Sequence, residues 1–167
     1  AGIELCNAYN KQYGTEYISV IPSNYFGNGD DFSKKNSHVI SSLISKIHDA
    51  KIKNKKNIVV WGSGKPIRDF IYLDDLADAC IHIMKKYKKN IPINISSSNS
   101  YSIKKIAYII KNIVGFKGRI KFDLSKPDGM PMKTLDNTEL SKIGWKSSYT
   151  FTESLKKTYI WYKDNII

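Results

Sequence analysis

Short apolar runs that stop at turn formers alternate along this chain with apolar stripes at helical spacing, and that alternation confines it to α/β architecture. Residues 17–23 read as a strand ending near a proline, and residues 57–61, 69–73, 91–96 and 119–122 as further strands. Between them Val39, Ile40, Leu43, Ile44 and Ile47 form one buried stripe, and Leu76, Cys80, Ile83 and Tyr87 another, capped by Asp74. Ile103, Ile106, Ala107, Ile110, Ile113 and Val114 make a third amphipathic helix, closed by Gly115. Asp136 with Glu139, and Thr150 with Glu153, have capping-box spacing; the second opens a helix burying Phe151, Leu155, Tyr159 and Tyr162. Residues 1–13 read as a helix already under way, stopped by Gly14 and without an N-cap of its own. The stretches following residue 23 and around 126–131 read as loops.

Several function classes are set aside by composition. With 167 residues and a hydrophobic fraction of 41%, the chain is one domain or part of a larger one, and not disordered. No apolar run approaches the roughly 20 residues of a membrane span, and the first residues lack a signal-peptide pattern, so no membrane partner is expected. Cys6 and Cys80 stand in no metal or redox spacing and read as small core residues. A reduced, cytoplasmic setting without a metal is the expectation. The net charge of +12 comes almost wholly from lysine, much of it in "KIKNKKN" and "MKKYKKN". These runs read as solvated helix ends, so nucleic acid is not the expected partner; a basic polyanion-binding module stays as the alternative.

The stretch "WGSGKPIRDFIYLDD" (61–75) looks at first like a phosphate loop. It is not one by spacing: Lys65 is followed by Pro66, where a Walker loop needs Ser or Thr, and position 67 is isoleucine, where a dinucleotide fingerprint needs glycine. Any nucleotide must therefore be held by side chains. Arg68 is the best candidate, because guanidinium binds phosphate oxygens through two parallel bonds. Trp61 offers a flat face or an indole donor, with a core strand aromatic as its other reading.

Extended through "LADAC", the same stretch resembles the signature of nucleotide-sugar enzymes in the extended short-chain dehydrogenase/reductase superfamily. "NSHVI", "KPDGMPMKTLD" and the opening "AGIELCNAYNKQYGTEY" narrow the resemblance to the GDP-L-fucose synthase family. Members of that family are bifunctional epimerase-reductases that convert GDP-4-keto-6-deoxy-mannose to GDP-L-fucose with NADPH. The resemblance runs along nearly the whole chain and implies its carboxy-terminal half. That half comprises the end of an NAD(P)-binding Rossmann-like fold (1–35) and a smaller α/β nucleotide-sugar domain (36–167), some of whose segments return to the Rossmann-like sheet. The family's glycine-rich NADP loop, catalytic serine and cysteine, and Tyr-x-x-x-Lys pair are then expected in the amino-terminal half, which binds most of the cofactor. By the same resemblance the enzyme is a homodimer through helices of the dinucleotide domain, one of which includes residues 1–14; because that helix reads as truncated, dimerisation is not expected of this chain alone. Another superfamily member acting on a UDP sugar is the nearer alternative.

Carried over residue by residue, the resemblance makes His38 the catalytic histidine. Epimerisation beside a keto group requires proton removal and return, which a side chain titrating near neutrality performs. Pro22, Ser23, Asn24, Tyr25 and His38 become contacts to NADP(H), although Tyr25-Phe26-Gly27 departs from the family's usual aliphatic-then-tyrosine order. Lys46, Trp61, Arg68, Asp128 and Lys133 become contacts to the GDP-sugar. Lys46 lies eight residues after His38, roughly 12 Å along a helix at about 1.5 Å per residue, a span that suits a sugar at one end and phosphates at the other. The family often has arginine at the Lys46 position; lysine keeps the charge and loses the fork. His48 and His82 read as unspecialised helix-face residues.

Overall fold

The computed structural model describes residues 1–33 and 37–167. The expected boundary between residues 35 and 36, and Asn36 of "NSHVI", lie outside the described residues. In chain order the elements are α1 (Gly2–Tyr13), β1 (Val20–Pro22), β2 (Asn24–Phe26), α2 (Val39–Ile52), β3 (Asn57–Trp61), β4 (Ile67–Tyr72), α3 (Leu73–Lys86) and β5 (Ile93–Ile95). They continue with β6 (Ser100–Ser102), α4 (Ile103–Val114), β7 (Arg119–Asp123), β8 (Met132–Lys133), α5 (Thr138–Lys142) and α6 (Phe151–Ile166).

Most strand pairs are parallel: β1 with β5, β3 with β7, and β4 with both β2 and β8. The β6 strand joins β4 antiparallel, so β4 is the hub on which β2, β6 and β8 converge. One apolar cluster packs α2, α4 and α6 over β3 and β4, around Ile44, Ile47, Ile106, Ile110 and Leu155. The other packs Ile71 of β4 with Ala79 and Ile83 of α3, Ile93 and Ile95 of β5, and Leu140 and Trp145. The first follows largely from the sequence periodicity: the expected stripes of α2, α4 and α6 are buried there except for Val39, which is exposed at the start of α2, and Ile103 and Ile113, which are half-buried.

Local expectations fail where tertiary pairing outweighs them. Residues 24–26 form β2 by pairing with β4, despite the turn-rich loop around them. Asp74 does not cap α3: Tyr72 occupies the N-cap without a side-chain bond, and Asp74 and Asp75 sit in the first turn, where the helix dipole favours them. The Asp136–Glu139 capping box is absent. Asp136 instead accepts bonds from the Thr138 N–H and hydroxyl, and Glu139 pairs with Lys89 and Lys142. The Thr150–Glu153 box is present, with both reciprocal bonds. His48 is buried, with Nδ1 3.0 Å from the Tyr159 hydroxyl, and so is a core group of the α2–α6 contact and not an unspecialised face residue. Among the described residues no helix is long and apolar enough to cross a membrane.

Candidate functional site

The carboxyl ends of the parallel pair β3 and β7 open into two turns, 62–66 and 124–131, and most of the expected nucleotide contacts gather there. Val60 and Ile58 face the core while Val59 and Trp61 face outward, as strand alternation requires. Trp61 is consequently 71% exposed, which removes its reading as a core aromatic, and the Lys126 ammonium lies 5.8 Å from its ring centre. Lys46 reaches from α2 to donate a bond to the Val59 carbonyl at 3.2 Å, which brings its charge beside the same strand.

The glycines of "WGSG" are needed for packing. Gly62 has φ +77°, and a Cβ there would meet Asp128 Oδ1 at 2.4 Å; Gly64 has φ +73°, and a Cβ would meet Phe122 at 2.4 Å. Ser63 between them donates its N–H to Asp128 Oδ1 and its hydroxyl to Oδ2, each at 2.6 Å. These two donors hold the Asp128 carboxyl below the usual carboxylate range.

Arg68, Lys133 and Tyr101 are cross-strand partners on β4, β8 and β6, so their side chains share one sheet face. Arg68 is half-buried and donates Nη1 to the Ile67 carbonyl at 2.8 Å, and Nη2 lies 3.9 Å from the position a Gly129 Cβ would take. The salt bridges among the described residues involve Lys88, Lys89 and Lys142, and not Arg68, Lys46 or Lys133. The fold thus places Lys126 beside an exposed indole and leaves Arg68, Lys46 and Lys133 without a salt-bridge partner among the described residues, an arrangement an anion would complete.

The cofactor-side candidates lie along β1 and β2. Asn24 donates its side-chain amide to the Asp69 carbonyl at 2.9 Å, fastening this segment to β4 one residue from Arg68. Pro22 and Tyr25 are exposed, while Ser23 is buried with a hydroxyl that finds no partner among the described residues. His38 is exposed at the N-cap of α2, with an extended backbone and no capping bond from its side chain. Its charge helps keep Asp31 low, after the two bonds from Ser33. It stands at the start of α2, N-terminal to Lys46 on the same helix.

Sequence reasoning missed Ser63 and Lys126, because only the fold shows that the two turns face one another. It also missed Asp69 and Asp75, both buried. Burial pushes the Asp69 carboxyl up, against the opposing bond from the Ser96 hydroxyl. Asp75 accepts bonds from the Ser147 hydroxyl at 2.7 Å and the Ser148 N–H at 2.9 Å, which tie α3 to the entry of α6. A separate cleft of about 400 Å³, lined by Asn99, Tyr101 and residues 147–152, contains none of the expected contacts.

This α/β chain has known relatives. A profile described as the NAD dependent epimerase/dehydratase family matches residues 1–96, and the chain belongs to that family. It is 43% identical over 167 residues to a probable GDP-L-fucose synthase of Oryza sativa subsp. japonica, covering all of this chain and 51% of the relative. It is 42% identical over 174 residues to the GDP-L-fucose synthase of Escherichia coli K12, covering 99% of this chain and 54% of that one. Among solved structures, a GDP-L-fucose synthetase from Naegleria fowleri bound to NADP superimposes with a TM-score of 0.90 at 33% identity, covering 98% of this chain and 53% of its own. The fold is thus that of the extended short-chain dehydrogenase/reductases. The chain spans about half the length of the curated relatives it matches.

Proposed function

We propose that this chain is the nucleotide-sugar-binding portion of a GDP-L-fucose synthase-type enzyme, which epimerises carbons 3 and 5 of GDP-4-keto-6-deoxy-mannose and reduces carbon 4 with NADPH. The observation that carries the reading is the pairing of Arg68 with Lys133 across β4 and β8, with neither in a salt bridge among the described residues, and an exposed Trp61 at the end of β3. In this reading Arg68 and Lys133 hold the diphosphate, Lys46 adds a third positive charge, and Trp61 lies against the nucleoside. Asp128 keeps lone pairs beyond those engaged by Ser63 and contacts the nucleotide or sugar.

His38 is the proton-transferring residue, exposed at the N-cap of α2 about 12 Å along that helix from Lys46, where a sugar ring would lie. NADP(H) supplies hydride when bound. The residues present fit its nicotinamide end: Pro22 and Tyr25 are both exposed, and the Ser23 hydroxyl is buried without a partner among the described residues, a group that a ligand would satisfy. Most contacts to that cofactor belong to the part of the relatives that this chain does not match. Residues 1–35 correspond to the end of the dinucleotide domain, and the return of β5 to pair with β1 supports the view that later segments rejoin its sheet.

Calorimetric titration of the chain with GDP, UDP, ADP and a short DNA, at low and moderate salt, tests the proposal. Selective binding of GDP that persists in salt is expected. Binding to every polyanion with a steep loss in salt is the signature of counterion release from a basic surface and contradicts it.

A further inference from the structure

Nothing in the proposed function assigns a role to Ser63, although it lies between the groups that function uses. We propose that Ser63 is a positioning residue: its clasp on Asp128 sets the spacing between the arm carrying Trp61 and Arg68 and the arm carrying Lys126 and Lys133. The inference rests on the reading of this face as a GDP-sugar site.

Both oxygens of Asp128 are engaged from one residue, by the Ser63 N–H and hydroxyl, and the same hydroxyl accepts the Lys65 N–H at 3.1 Å. With a donor and an acceptor both satisfied, the hydroxyl has one orientation. The Asp128 carboxyl, held low by those bonds, stays charged throughout the neutral range, so the clasp does not open by titration there. Fit is equally close from the other side, because the space a Gly62 Cβ would need is occupied by Asp128 Oδ1.

The 62–66 turn is also bonded to the start of α4, by the Lys104 N–H to the Gly64 carbonyl at 2.9 Å and the Ile103 N–H to the Pro66 carbonyl at 3.1 Å. The clasp falls midway between the two backbone bonds that join residues 62–67 to residues 123–131. At one end the Gly62 N–H donates to the Asp123 carbonyl at 3.0 Å, and at the other the Ile67 N–H donates to the Pro131 carbonyl at 2.8 Å. Leu124 and Met130 between them are 76% and 61% exposed, so apolar packing contributes little to fixing the turn. Lys126 over Trp61 and Gly129 against Arg68 sit on either side of Asp128, and each depends on where that residue is held. Releasing the clasp by changing Ser63 loosens both arms while every side chain that meets the ligand, Asp128 included, stays in the chain.

The test compares the chain with its Ser63→Ala, Ser63→Thr, Asp128→Ala and Ser63→Ala/Asp128→Ala variants by GDP titration and by hydrogen–deuterium exchange. Losing a bond to a charged partner predicts GDP binding weaker by roughly tenfold in Ser63→Ala, and near-native binding in Ser63→Thr. Because the pair acts as a unit, the double variant should bind no worse than Asp128→Ala alone. Amide exchange across residues 124–133 should rise severalfold in Ser63→Ala and return to the native rate in Ser63→Thr. Unchanged exchange in Ser63→Ala, native GDP affinity in that variant, or losses that multiply in the double variant would each overturn the proposal. If the native chain binds no GDP, the proposed function fails, while the exchange arm still decides whether Ser63 holds the turn.

Discussion

Helices α1 and α4 have the same length of 12 residues, and each ends at a glycine in the left-handed conformation, Gly14 and Gly115. Their packing is opposite. The α4 helix buries Ile106, Ala107, Ile110 and Val114 in the main core, whereas α1 buries only Asn10 and leaves Ile3, Leu5, Tyr9 and Tyr13 exposed. The shared glycine stop ends both helices alike, but α4 also has a Ser102 cap and an isoleucine stripe that α1 lacks, and with them go burial in the core for one and polar bonds for the other. In α1 the hold is Asn10: its amide donates to the Tyr17 carbonyl at 2.9 Å, and its oxygen accepts from the Thr15 hydroxyl and the Tyr17 N–H, each at 2.8 Å. The proposed site draws on both kinds of region, with the β1–β2 contacts following the lightly packed helix and the phosphate contacts on the packed body.

The contrast breaks most visibly in the core. Ile110→Ala should lower unfolding free energy by about 3 kcal/mol, while Leu5→Ala on α1 should change it by less than about 0.5 kcal/mol. Denaturant unfolding of the two variants gives both numbers, and similar losses would remove the distinction. Arg68→Ala comes next, with about 2 kcal/mol lost from GDP binding and little lost from folding, read by titration beside a melting curve. Asn10→Ala should cost about 1 kcal/mol, since it leaves the Tyr17 backbone groups without their partner; amide exchange concentrated in residues 2–18 would locate the loss.

The smallest effect is on pH dependence. Burial keeps the His48 pKa below its ordinary value, against a smaller opposing pull from Asp49. The unfolded chain therefore binds the proton more readily, and the His48 contribution is complete above the unfolded pKa near 6.5 and declines as pH falls below it. Melting curves from pH 8 to 5 should show a decline in the native chain that is shallower in His48→Gln.

The helices of the main core were legible from spacing alone, because Ile103, Ile106 and Ile110, or Phe151, Leu155 and Tyr159, repeat on one face over several turns. β2, β6 and β8 were not. Asn24–Phe26, Ser100–Ser102 and Met132–Lys133 are too short to carry a period, and they become strands only by pairing with β4. The site divides in the same way. Arg68 and Trp61 stood out by chemistry and by the resemblance around them, and Lys133 and Asp128 by the resemblance alone. Ser63 gave no signal, since its partner lies 65 residues away in sequence. His48 misled for a related reason: a histidine on a helix shows no preference until the helix packed against it supplies Tyr159.

A residue-resolved amide NMR titration of the chain with GDP locates the nucleotide site. Shifts are expected at residues 59–68 and 126–133, with Lys46 included and the lysine runs at 51–56 and 85–89 unmoved. Shifts centred on those lysine runs, or on the 147–152 cleft, with Trp61 and Arg68 silent, would contradict that placement.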